Sequence, residues 1–156
     1  MLTNANGLGG TPTWLQLAPT GTAPTINIFA TAVYNKTANK LIVYGGCSGN
    51  CGSALPDVYV LTHANGLGGT PEWSKSAPHT DIARENHRAV FDSNTNSMIT
   101  FGGGLAAFGT DQNDTNVLAP ATGGSSGWWT NPGTSSRTPT RWWGEPWANL
   151  TSIDQR

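Results

Sequence analysis

The sequence predicts an all-β chain assembled from repeated four-stranded antiparallel units, and two observations carry that expectation. The first is a decapeptide that occurs twice. Ala5–Trp14 returns as Ala64–Trp73, identical in nine of ten positions at an offset of 59 residues (64 − 5). Duplication of that length marks a repeat protein. The second is composition. The 156 residues include 20 Gly and 10 Pro, and 11% are charged, against roughly 25% in an average globular chain. That balance suits short β-branched strands joined by many turns, and no segment holds a 3.6-residue apolar period.

Taken in order, Leu2–Asn4 aligns with Leu61–His63 and reads as the tail of a strand. Thr13–Leu17 alternates and is expected to form a short strand with Trp14, Leu15 or Leu17 packed. A Thr/Gly/Pro stretch leads to Phe29–Tyr34, the next strand. Asn35–Lys40 is a polar turn, and Leu41–Tyr44 is an apolar run closing on Gly45-Gly46, expected to be buried on both faces. A loop carrying Cys47 and Cys51 precedes the strand Asp57–Leu61. The glycine-rich loop then delivers Trp73–Ser76. The cycle restarts at an offset of 57: His87–Asp92 matches Ala30–Asn35, Asn96–Gly103 matches Asn39–Gly46, and Asp114–Leu118 matches Asp57–Leu61.

Four strands per unit in an up-and-down meander describe a propeller blade. The expected division is residues 1–25 as the outer half of a preceding blade and 26–83 as a blade with its following connection. Residues 84–130 form a second blade, and 131–156 an irregular tail. Five of the seven tryptophans (Trp128, Trp129, Trp142, Trp143, Trp147) crowd towards that end. Two and a half blades leave apolar faces uncovered, so the chain reads as a fragment of a longer ring or as part of an assembly.

The motifs now in hand resemble the kelch repeat: Arg84-x-x-His87 before a strand, the doublets Gly45-Gly46 and Gly102-Gly103, Tyr59, and Trp14 and Trp73 on the outer strands. The resemblance covers about residues 1–130 and implies a β-propeller of the kelch or galactose-oxidase-like kind. In such blades the first strand lines the axis and the fourth is outermost. The first unit departs from the pattern with Asn27 and Ala30 for Arg and His, and the second with Asn116 for Tyr. The same family includes a copper oxidase acting on galactose, whose site uses Tyr, His and a cross-linked Tyr–Cys pair. The three tyrosines here lack that context.

The net charge of −1, with eight scattered cations, argues against nucleic acid as a partner, and no apolar run reaches the length of a membrane span. No signal peptide, cofactor motif or metal-ligand spacing stands out. The expected binding residues are Arg84, Asn86 and His87, at the blade end where kelch proteins often recruit peptides. Arg84 offers a bidentate contact to a carboxylate or, structurally, bridges loop carbonyls or Glu85. His87 either meets a ligand or bonds a neighbouring blade. Cys47 and Cys51 are candidates for a disulfide pinning the loop, the other option being two free thiols. A disulfide would fit a secreted or cell-surface setting. Asp111–Asp114 lacks calcium-loop spacing and reads as a solvated turn.

The function these observations favour is a non-enzymatic module binding protein or glycan. Against it stand structural blades of a propeller oxidase or glycan-active enzyme whose active site lies outside this segment. A third reading is a structural repeat that self-associates through its open faces.

Overall fold

In a computed structural model of the chain, residues 1–25, 28–76, 83–105, 111–121 and 128–134 are described, the last of these as backbone alone. Asn27, His79 and the tryptophans of 135–156 lie outside the described residues.

The described chain is all-β. The first sheet is built from β4 (Thr31–Asn35), β5 (Lys40–Tyr44), β6 (Val58–Thr62) and β7 (Glu72–Lys75), each antiparallel to the next. The second is built in the same way from β8 (Arg88–Asp92), β9 (Ser97–Phe101), β10 (Asp114–Ala119) and β11 (Trp128–Thr134). Both are meanders, as propeller blades require. β1 (Leu2–Thr3) and β2 (Thr13–Trp14) make a separate two-stranded ribbon. The first sheet has one member that alternation does not announce. β3 (Thr20–Gly21) runs parallel to β7 and becomes its edge strand, with Thr20 opposite Glu72 and Gly21 opposite Trp73.

The core lies between the two larger sheets. Val33, Ile42, Tyr44, Val58 and Val60 of the first pack with Met98, Leu118 and Ala121 of the second. Two-faced burial belongs chiefly to β6, where Val58 through Leu61 are all buried. β5 instead buries Ile42 and Tyr44 and leaves Leu41 and Val43 only partly covered. Tyr59 is buried in β6 with Lys75 Nζ 5.5 Å from its ring centroid, and Trp73 is half-buried in β7. Trp14 departs from the packing expected of it: it is 78% exposed, and Leu15 is exposed as well. A two-stranded ribbon has no further strand to lay beneath that ring. Leu17 is the half-buried member of the three, lying against the Gly66 backbone.

The decapeptide forms the same turn in its two copies. Asn6 and Asn65 each accept, at 2.9 Å, a bond from the amide two residues on, a side-chain-closed turn. The second copy docks on the β4–β5 hairpin, where Asn39 Nδ2 donates to Asn65 Oδ1 (2.7 Å) and to the Leu67 carbonyl (3.1 Å). This loop therefore sits at the hairpin end of the blade, opposite the connection that carries Arg84.

At that other end the glycine doublets do structural work that no other residue fits. Gly46 and Gly103 have φ of +84° and +85°, a region costly for side chains. A Cβ on Gly46 would lie 2.7 Å from the Ile28 carbonyl oxygen, and one on Gly103 would meet the Glu85 carbonyl and lie 2.9 Å from the His87 amide. In each blade the doublet is where the incoming connection crosses the second strand.

Candidate functional site

That crossing creates the densest concentration of buried polar groups among the described residues. The connection into β8 runs along the end of the first sheet: the Gly46 amide donates to the Arg84 carbonyl (2.8 Å), and the Asn86 amide to that of Phe29 (3.0 Å). Phe29 and Asn86 are repeat equivalents (86 − 29 = 57), both with positive φ, so the two connections stack on one another. Arg84, Glu85 and His87 are consequently buried between the sheets, whereas Asn86 stays exposed.

Arg84 points inward. Its guanidinium pairs with Asp114 Oδ2 (2.5 Å) at the start of β10 and donates to the Ala83 carbonyl (3.0 Å). Asn116 Nδ2 donates to the same carboxylate oxygen (3.0 Å). Asn116 stands where the first blade has Tyr59 (116 − 59 = 57), so the departure from the repeat pattern supplies a donor to the Arg84 partner. His87 packs at a tilt of 58° against Tyr44 with ring centroids 4.8 Å apart, and its Nε2 lies 2.5 Å from Thr31 Oγ1 across the seam. Burial, aided by the charges of Arg84 and Arg88, lowers the His87 pKa to about 4, so the ring is neutral at physiological pH. Burial also raises the Tyr44 phenol, with Arg84 pulling it down and Asp114 pushing it up by smaller amounts.

Beside this cluster, Cys47 and Cys51 are joined in a disulfide with a Cα–Cα distance of 4.9 Å. A carboxylate oxygen of Glu85 and the two sulfurs all lie within 4.8 Å of one another, and burial raises the Glu85 pKa. Nothing in the sequence singled out Glu85, Asp114 or Tyr44 as members of one site. A signal was available: aligning the units at the offset of 57 places Glu85 against Ile28 and Cys47 against Gly104. A carboxylate replacing an apolar residue at a glycine crossing is the mark of a specialised seam.

Chemically, the seam holds blades together. Thr31–His87 and Asn35 Nδ2–Asn96 Oδ1 (2.8 Å) cross from blade to blade, while Arg84, Asp114 and Asn116 bond within the second blade. Of the three residues expected to bind a partner, two are enclosed: Arg84 in its ion pair and His87 against Thr31 and Tyr44. Asp111 is exposed, whereas Asp114 is not the solvated residue expected. No helix among the described residues is long and apolar enough to cross a membrane.

No family model and no curated protein sequence matches the chain. Solved structures do. One is a fungal alcohol oxidase of the AA5 family, determined in complex with copper: TM-score 0.59, 21% identity, 81% of this chain and 25% of that one. Another is YjhT: TM-score 0.51, 18% identity, 70% of this chain and 33% of that one. The chain thus spans a quarter to a third of the length of these structures. At such identities the likeness establishes the fold, which is galactose-oxidase/kelch-like. It also overturns the expectation of a non-enzymatic chain, because the fold is shared with a copper-binding oxidase rather than with binding modules alone.

Proposed function

We propose that this chain contributes structural blades to a galactose-oxidase-like propeller enzyme, an alcohol oxidase whose reacting centre lies outside the described residues. The observation that carries the reading is the likeness of this blade stack to the AA5 alcohol oxidase over most of its length. The character of the seam supports it: Arg84 is held by Asp114, and His87 by Thr31 and Tyr44, inside the blade stack.

The described residues do not fit a copper centre. Copper(II) takes imidazole and oxygen donors in a tetragonal arrangement. The donor set that converges here is one carboxylate and two sulfurs already bonded to each other. His87, whose Nε2 faces Thr31, belongs to no group of three His, Cys, Asp or Glu side chains among the described residues. Its role in this reading is to keep two blades in register. The disulfide supports placement in an oxidising compartment.

The test uses the complete reading frame that encodes this segment. The purified protein is loaded with copper and offered a panel of primary alcohols and sugars, with peroxide followed by a coupled peroxidase. Oxidation of RCH2OH by O2 to the aldehyde yields one H2O2 per turnover, and the expected result is copper-dependent peroxide release. A folded full-length protein that takes up no copper and releases no peroxide across the panel would overturn the proposal.

A further inference from the structure

Arg84, His87, Asp114 and Asn116 each carry one unpartnered buried atom but bond through another; Glu85 is the remaining acidic group of the seam. It is 1% exposed, and its Oε2 has no hydrogen-bond partner. A buried carboxyl is ordinarily paired or bonded, and a disulfide offers it neither charge nor proton. Yet the carboxylate is brought against Cys47 and Cys51, themselves 0% and 4% exposed, from a different segment of the chain. A thiolate pair and a carboxylate are donors that a tetrahedral zinc site uses, with three protein ligands and an open fourth position.

We propose that Cys47, Cys51 and Glu85 form a thiolate–carboxylate site for a single thiophilic divalent cation of the Zn2+ type, accessible when the disulfide is reduced. The two states of the site exclude one another. In the oxidised state the sulfurs are bonded together and bind no metal. A phosphine reductant cleaves that bond, taking up oxygen from water as the phosphine becomes its oxide, and leaves two thiols. Zn2+ then displaces both thiol protons and any proton on Glu85, giving three anionic donors around one dication.

The loop is built to allow the change. Ser48, Gly49 and Asn50 between the cysteines are exposed, and a Cβ placed on Gly49 or Gly52 would meet nothing within 4 Å. The backbone between the cysteines therefore has room to adjust when the sulfurs part. Zinc–ligand bonds are about 2.3 Å to sulfur and about 2.0–2.2 Å to oxygen, so donors around one ion stand closer together than the present 4.8 Å limit. Beyond the parting of the two sulfurs, a small closure of Glu85 towards the loop is needed. Cys47 is anchored during this movement by its backbone, paired in both directions with Ile28 (2.9 and 3.0 Å). The repeat equivalents of the first and third ligands, Gly104 and Ile28, lack donor side chains, so the site belongs to this seam alone among the described residues.

The full chain is reduced with a phosphine under anaerobic conditions, freed of reductant, and titrated with Zn2+ against a chromophoric chelator. Circular dichroism follows the fold throughout. The expected result is one equivalent bound by the reduced chain, none by the oxidised chain, and retained β-sheet signal. Glu85→Gln should weaken binding at least about tenfold, the loss typical of a disturbed ligand shell, and Cys47→Ser/Cys51→Ser should abolish it. Co2+ should give a thiolate charge-transfer band. Equal uptake by the oxidised chain would overturn the proposal. So would unchanged affinity in Glu85→Gln, including the case where reduction unfolds the chain and zinc meets only free thiolates.

Discussion

Val33 and Val90 hold the same position in successive blades, 57 residues apart (90 − 33), yet Val33 is 7% exposed and Val90 62%. Tyr44 and Phe101 repeat the contrast, at 0% and 46%. The covered members lie on the face of the first sheet that the second sheet packs against. The exposed members lie on the matching face of the second, which has no sheet upon it among the described residues. A blade face is thus apolar by design of the repeat, whether or not a neighbour is present.

That uncovered face should drive association of the chain in solution. Apolar sheet surface of this kind seeks a partner sheet. The double variant Val90→Lys/Phe101→Lys is expected to shift the chain from oligomer to monomer by light scattering, with stability changing by only about 1 kcal/mol because both sites face outward. A wild-type chain that is monomeric at all concentrations would sink this prediction.

The Arg84–Asp114 pair should be structural in a measurable way. Both side chains are buried, at 6% and 9% exposure. Removing one partner strands the other charge, which costs about 3–5 kcal/mol, whereas replacing both with apolar residues is often nearly neutral. Urea unfolding should therefore show a large loss for Asp114→Ala and for Arg84→Met, and recovery in Arg84→Met/Asp114→Leu. Single variants that unfold like wild type would return Arg84 to the role of a free ligand-binding side chain.

Much of the architecture was legible in the chain because each strand carries its own local signal. Leu41–Tyr44 followed by Gly45-Gly46, and Asn96–Gly103 after it, mark second strands by apolar content and by a turn that only glycine accepts. What local pattern does not contain is pairing across the seam. Arg84 and Asp114 are 30 residues apart, and nothing near either one names the other. Trp14 follows the same rule: an aromatic on a strand packs only if a further strand arrives beneath it. β3 has no sequence signal of its own because a two-residue parallel edge has no period, and it is fixed by the approach of Gly21 to the Trp73 backbone.

His87 should make the fold sensitive to acid. Its pKa is about 4 in the folded chain, against 6.5 when the ring is solvated. The unfolded chain therefore takes up a proton first as pH falls. The stability that neutral His87 contributes is complete above pH 6.5 and is lost progressively between 6.5 and about 4, by about 3 kcal/mol in all. Glu85 acts in the opposite sense: its raised pKa makes its contribution complete below 4.5 and lost as pH rises above that value. Asp92, held low first by the Thr95 hydroxyl, titrates below this window. His87→Phe keeps a ring against Tyr44 and removes the titrating group. Urea midpoints measured from pH 7.5 to 4.5 should fall for wild type, while those of His87→Phe stay level or rise as the Glu85 carboxyl is protonated. An equal acid slope in both proteins would place the sensitivity elsewhere.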